Sequence, residues 1–408
     1  MDKYIYDCII IGAGISGISF AHYLTSIDQN ILILEKDGRA GGQIHSLSSN
    51  QDEQYWRELG SHTCYNSYTS FLSILKDIKA EDKVQLLNKV SYVLYDNKIK
   101  SISSGISILS CILSIPKILF ANKDKSSKTV KEYFCPIFGS KNYNKLFTNA
   151  FRAVICQPAD DYPAEIFLKH RKDRYKEFPR KYSLKNGLSS FIKTVIEKNK
   201  LNVKTNSEVI SISIEKQDSL YIIETKNGEI YQTKNIALAC NPQTDSKLLI
   251  NIESDLSNLL GSIPSFSSES LNVIILKEKL KIKPVAGIIS LSDEFMSAVS
   301  RDTVDDDRYR SFTFHFEKGK KTDDEKSELI CKVLEINRQD IVEQSITEHL
   351  LPSVRMQHLH IDKQISDARQ NNSIYILGNY FYGLSIEDCI NRSKDEFEQY
   401  KAHNQNNI

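Results

Sequence analysis

Three glycines and an acid near the start of the chain have the types and spacing to hold a dinucleotide. Ile9-Ile10-Ile11 runs straight into Gly12-Ala13-Gly14-Ile15-Ser16-Gly17, which fits G-x-G-x-x-G. Such glycines permit a tight turn, let backbone N–H groups approach a pyrophosphate and let the next helix pack close to the strand. A helical stretch and a second apolar strand, Ile31 to Leu34, then deliver Glu35 eighteen residues beyond Gly17. An acid at that point is placed to take ribose hydroxyls. The six residues of the turn and Glu35 are therefore candidate cofactor contacts. Three glycines alone are weak evidence; strand, turn, helix, strand and acid in register are strong.

Other elements must position that turn. An all-apolar first strand is what a parallel sheet buried on both faces requires. From Leu201 the chain predicts strands at 203–205, 209–214 and 221–225, with Asn227-Gly228 as a hairpin signal. A strand at 230–233 and an apolar run from Ile236 to Cys240, closed by Asn241-Pro242, fit a return to the nucleotide domain. Residues 126–182 read as helical and polar on one face, followed by a helix at 190–197. Within them Lys169-His170-Arg171-Lys172-Asp173-Arg174 and Arg180-Lys181 form a basic run, the pattern of a solvated face, with an anionic-substrate site as the alternative. Residues 245–365 carry strands at 271–276 and 312–316 and a charged helix after Asp323, but no interpretable motif. His358 and His360 lie two apart without a third ligand, so structural roles and no metal are expected.

Composition narrows the classes. A chain of 408 residues predicts two or three lobes. With 53 basic and 52 acidic residues, no nucleic-acid partner held by phosphate neutralisation is expected. Eight scattered cysteines without C-x-x-C read as free thiols in a reducing compartment. Asp2, Lys3 and Asp7 lead at once into a strand, which predicts no signal peptide and a cytoplasmic location. Residues 99–120 are apolar, but Lys100, Pro116, Lys117 and six serines interrupt them. A bilayer needs ~20 predominantly apolar residues, so no spanning helix is predicted. A helix pair lining an apolar pocket or making peripheral membrane contact, or else a buried helical core, is expected there instead.

A resemblance sharpens the cofactor. After Glu35, the segment Lys36-Asp37-Gly38-Arg39-Ala40-Gly41-Gly42-Gln43 resembles the second phosphate-contacting loop of the FAD-dependent amine oxidase superfamily. It implies FAD rather than NAD, with Lys36, Arg39, Gly42 and Gln43 at the nucleotide. Glu58-Leu59-Gly60-Ser61-His62-Thr63 stands where that superfamily's E-x-G loop runs beneath the flavin ring, implying contacts from Gly60, Ser61, His62 and Thr63. Near the end, Gly378-Asn379-Tyr380-Phe381-Tyr382-Gly383-Leu384-Ser385-Ile386-Glu387-Asp388-Cys389-Ile390 resembles the C-terminal signature of protoporphyrinogen/coproporphyrinogen oxidases. In that family the turn and the following helix start touch the FAD pyrophosphate and ring, implying Gly378, Asn379, Gly383, Leu384, Ser385 and Ile386. Tyr133 to Gly139 resembles the family's Y-F-x-x-x-F-G segment, and Ser183 to Leu188 its G-G-L turn with Asn186 in place of the first glycine. Val209 stands where a valine backbone meets the adenine. Gln43 departs from the family, which usually has a bulky or basic residue there.

The resemblance implies an α/β fold: an FAD-binding Rossmann-like domain (1–75, 185–245, 365–408) with a second, mixed α+β substrate domain (76–184, 246–364). It further implies oxidation of a small-molecule porphyrinogen to a porphyrin, as in haem biosynthesis, with oxygen as electron acceptor. The electron chemistry belongs to the cofactor, so no acid–base dyad is expected. A cation for the substrate's carboxylates is needed on physical grounds. Arg152, in the otherwise apolar 147–155, could serve or could form a core-edge salt bridge. Other readings are an oxidoreductase of amines or polyenes, a sugar-nucleotide mutase, and a flavoprotein without turnover that serves as a binding partner.

Overall fold

The computed structural model describes residues 4–107, 124–215, 219–369 and 373–405. Two seven-stranded sheets organise them. The first has the order Val203–Lys204, Ile31–Leu34, Ile5–Ile11, Ile230–Leu238, Leu220–Thr225, Val209–Glu215, and Ile374–Ile376 also pairs with Ile230–Leu238. Its central strands run parallel, with Ile9 opposite both Leu32 and Ile236. Successive residues point to opposite faces of a strand, and here both faces are buried. Cys8, Ile10, Ile33 and Ala237 enter one core, while Ile9, Ile11, Leu32 and Leu238 enter the other. The unbroken isoleucine run follows from that double burial.

The first helix, Ile15–Thr25, is buried along most of its length. It packs against the C-terminal helix Ile386–Gln405, where the Ser393 hydroxyl donates to the Ser16 carbonyl at 2.8 Å. Glu396 lies fully buried in that C-terminal helix and is paired with Arg392 and Arg369. The second large sheet is built on two 12-residue strands, Ser265–Leu276 and Ile341–Pro352, paired antiparallel, with Tyr309–Glu317 on the far side of the first. It continues through Ser297–Ser300, Gly287–Ser290 and Tyr92–Asp96 to Lys98–Ser101.

Several sequence expectations are revised. Residues 230–238 form one continuous strand, not two: Lys234 points outward and pairs with Asp7 at 2.9 Å, and the buried Asn235 amide donates to the Asp7 carbonyl at 2.8 Å. The helices expected over 126–182 end at Ile155. Pro158, Pro163 and Pro179 follow, each removing a backbone donor. Within 99–120, residues 98–101 are a strand and 102–105 a short 3₁₀ turn rather than a helix pair; residues 108–123 lie outside the described residues. Among the described residues no helix is long and apolar enough to cross a membrane, and no cluster could hold a metal ion. His358 is buried against Ser262 and the Arg355 amide, a structural role. Seven described cysteines are free thiols.

Candidate active site

The glycine turn closes against the second glycine loop. The Gly41 amide donates to the Ala13 carbonyl at 2.8 Å, and Gly14 bridges Gly41 in a short parallel pair. Gly12 has φ +105°, and a Cβ there would meet the Ala239 carbonyl oxygen at 2.8 Å. Glu35 is buried, with one carboxylate oxygen accepting from the Ala13 amide at 2.8 Å and the other from the Asp37 amide at 3.0 Å. Its remaining lone pairs can take hydroxyl donors. No side chain caps the first helix, so the N–H groups of its first turn are available to an anion. The Arg39 guanidinium donates to the Gly42 carbonyl at 2.8 Å and the Ile44 carbonyl at 3.2 Å, fixing the second loop.

These elements surround an elongated cavity of about 810 Å³, within the usual range for small-molecule and cofactor sites. Of the expected residues, Gly12, Gly14, Ile15, Ser16, Glu35, Lys36, Arg39, Gly42, Gln43, Ser61, Val209, Gly378, Asn379, Leu384 and Ile386 line it. A second cavity of about 560 Å³ is lined by Gly60, His62, Thr63 and Ser385, and shares Gln43, Ser61, His349, Asn379, Leu384 and Ile386 with the first. The shared residues mark a junction. Ala13, Gly17 and Gly383 line neither cavity. Ala13 tethers Glu35, Gly17 sits against the Gly12 carbonyl, and a Cβ on Gly383 would meet the Asp388 carboxylate at 2.7 Å. Ser183–Leu188 keeps its turn because Asn186 takes φ +65°, a conformation asparagine tolerates; the Leu188 amide then donates to Glu58 at 2.7 Å.

The second cavity has two characters. Ile155, Tyr162, Ile166, Phe167, Leu351 and Leu384 form apolar walls, and Lys169, Arg171, Arg174, Arg180 and Lys181 stand at its rim. The basic run is largely exposed, as a solvated face should be, yet it also borders a cavity. Arg171 is engaged by Asp388 at 2.8 Å, while Arg174, Arg180 and Lys181 have no carboxylate partner among the described residues. Arg152 is not part of this rim. It pairs with Asp293 at 2.5 Å and donates to the Ser292 carbonyl at 2.7 Å, the core-edge salt bridge.

Several lining residues carried no sequence motif. His349, Thr347 and Glu348 come from the strand Ile341–Pro352, Ser270 from the adjacent strand Ser265–Leu276, and His315 from the next one, Tyr309–Glu317. Asn241 and Thr244 come from the start of helix Pro242–Leu249. Beneath Thr244, the fully buried Asp245 carboxyl lies beside Cys240 and Tyr380 without a well-formed hydrogen bond, and burial pushes its pKa up to about 8. Between the ordinary carboxylate range and that value the unfolded chain is ionised and the folded chain is not. Folding therefore takes up a proton, and stability falls as pH rises from about 4 to about 8. Asp245→Asn should abolish that slope, raising stability at pH 8 by on the order of a few kcal/mol and leaving it unchanged at pH 4. Urea unfolding at the two pH values checks this.

A parallel strand–glycine turn–helix with a ribose-facing acid and a second glycine loop form a dinucleotide cradle, and a partly apolar cavity adjoins it. The chain belongs to the flavin containing amine oxidoreductase family, whose family model matches residues 15–339, and its cofactor is FAD. It is 29% identical over 150 residues to protoporphyrinogen oxidase 2, chloroplastic/mitochondrial, of Arabidopsis thaliana, covering 32% of this chain and 29% of that protein. It is 37% identical over 99 residues to coproporphyrinogen III oxidase of Staphylococcus aureus (strain NCTC 8325 / PS 47), covering 24% and 21%. The matches thus span less than a third of either relative. A crystal structure of a candidate protoporphyrinogen oxidase from Exiguobacterium sp. 255-15 superposes with a TM-score of 0.79 at 16% identity, covering 98% of this chain and 100% of that one. That likeness shows a shared fold.

The residues present fit FAD. Two facing glycine loops leave room that side chains would fill, an uncapped helix start faces the cavity, and an acid stands at the ribose position.

Proposed function

We propose that this chain oxidises a porphyrinogen to a porphyrin, with oxygen as the final electron acceptor. The observation that carries the reading is the second cavity: apolar walls beside the cofactor junction, with unpaired cations at the rim. A porphyrinogen has that shape of chemistry, an apolar macrocycle bearing carboxylates. Two curated relatives whose names carry porphyrinogen substrates add support. The conversion removes six electrons in three two-electron rounds, and FAD when bound supplies the electron acceptance. The chain's own residues do the rest. Gly12, Gly14 to Ser16, Glu35, Arg39, Gly42 and Val209 hold the nucleotide, and Gly60 to Thr63 with Gly378, Asn379 and Leu384 to Ile386 bound the ring end. Ile155, Tyr162 and Phe167 exclude water from the macrocycle. Arg174, Arg180 and Lys181 hold carboxylates by charge-assisted hydrogen bonds.

The test is to add protoporphyrinogen and coproporphyrinogen separately to the FAD-loaded protein without oxygen. Bleaching of the flavin band with rising porphyrin fluorescence is expected. A flavin that stays oxidised with both overturns the reading and leaves amines and polyenes as substrates. Replacing Arg174 and Arg180 together by alanine should raise KM roughly tenfold or more with little change in kcat, the signature of lost uniform binding.

A further inference from the structure

Where the two cavities meet, three strands bring together side chains that are far apart in sequence. His349 Nδ1 lies 2.6 Å from Gln43 Oε1. Its Nε2 lies 3.0 Å from the Leu59 carbonyl oxygen and 2.8 Å from Ser270 Oγ. Ser270 Oγ is in turn 2.9 Å from His315 Nδ1, directly across the sheet. A carbonyl only accepts, and so does the amide oxygen of glutamine. Nδ1 of His349 therefore faces an acceptor, and Nε2 faces the Leu59 acceptor beside the Ser270 hydroxyl, which can donate or accept. A ring with one N–H satisfies one of these two acceptors; a ring with two satisfies both. Gln43, from the second glycine loop, supplies one of those acceptors.

The resting ring is held neutral. Burial lowers the His349 pKa; the Leu59 carbonyl opposes this, and the Arg39 cation adds to it. His315 is lowered to about 3, first by burial and then by His349 and His62, so it does not compete for the proton. His45, also lowered mainly by burial, adds no resting charge. Of the nearby carboxylates, Glu58 accepts from Ser46 and the Leu188 amide while burial pushes its pKa up to about 7, Glu348 is paired with Lys318, and Glu269 with Lys326 on the other face of its strand. A geometry that suits a doubly protonated ring, in surroundings that keep it neutral, belongs to a group that gains a proton only when negative charge arrives beside it.

We propose that His349 takes up a second proton when the neighbouring flavin accepts two electrons, and that Gln43, Ser270 and His315 position its ring. The substrate gives up two electrons and two protons. One proton travels with the electron pair to the cofactor and the other rests on His349. Oxygen then takes two electrons and two protons to become hydrogen peroxide, and His349 returns to neutral. The inference rests on FAD binding and not on the identity of the substrate.

The test uses the FAD-loaded protein without substrate. Spectroelectrochemical titration between pH 6 and 8 should give a midpoint potential falling by about 59 mV per pH unit, two protons for two electrons at about 30 mV each. His349→Asn should halve that slope to about 30 mV per unit. A wild-type slope near 30 mV overturns the proposal, and so does a slope near 59 mV in the variant, which would put the second proton on the flavin itself. If the asparagine variant retains no flavin, His349→Gln gives the same comparison. Proton uptake on photoreduction in weak buffer should likewise fall from two per flavin in the wild type to one in the variant; one in the wild type, or two in the variant, overturns the proposal.

Discussion

Gly17→Ala is expected to purify without flavin. A Cβ at this position would stand 2.0 Å from the Gly12 carbonyl oxygen and 3.2 Å from Ile10 Cγ2. Neither can step aside, since the Gly12 amide donates to the Leu34 carbonyl at 2.8 Å and Ile10 is wholly buried in the sheet. The first helix must lift from the sheet, carrying its uncapped N–H groups away from the pyrophosphate position. Overpacking of this kind costs about 3 kcal/mol of stability. A similar loss at the cofactor corresponds to on the order of 100-fold weaker FAD binding. The flavin-to-protein absorbance ratio after gel filtration measures it. A full flavin complement with an unchanged thermal midpoint would show that the contact is not what closes the turn.

The second large effect is expected from Arg57→Ala. Arg57 is 1% exposed and lies on the short strand Trp56–Glu58, just before the loop that borders the cofactor junction. It donates to the Ser48 carbonyl at 3.1 Å and the Ser345 hydroxyl at 2.8 Å, and is paired with Glu343. Glu343 belongs to the strand that carries His349. Removing the guanidinium strands that carboxylate, at a cost of about 3 kcal/mol. Arg57→Met combined with Glu343→Leu should recover most of the loss, because a packed apolar pair replaces an ion pair at little cost. The effect has a pH signature. Burial pushes the Glu343 carboxyl up, but Ser49, the Asn50 amide and Arg57 together outweigh it and hold the pKa below the ordinary value. That stability is present above the unfolded carboxylate range and disappears as pH falls through the lowered value. Urea midpoints of wild type and Arg57→Ala should therefore converge toward pH 3. A constant gap would show that packing, not charge, is at stake.

What the sequence made readable was what is local in it. Ile5 to Glu35 is one strand–turn–helix–strand unit, and most of its pattern is set between near neighbours in the chain. The C-terminal turn was readable for the same reason. The chain around the substrate was not. Ser270, His315 and His349 meet only because three strands pair in a given register, and nothing in the run Phe312 to Phe316 distinguishes its histidine from a core residue. The cations at 169–181 were readable as exposed, but what they border depends on Ile155 and Leu351, which arrive from other elements. The helix expected beyond residue 155 failed on local grounds that were visible, three prolines in 158–179.

Ile374–Ile376 is a minor strand by length, yet it completes the sheet that holds the first glycine turn, and the turn after it lines both cavities. A ribosome delivers residue 12 long before residue 386. At roughly 5 to 20 residues per second the interval is about 20 to 75 s. Through that time the isoleucine strand and its helix exist without the last wall of their site. The walls of the cavity are therefore complete only once residue 386 has been made, however well the first strands have paired by then.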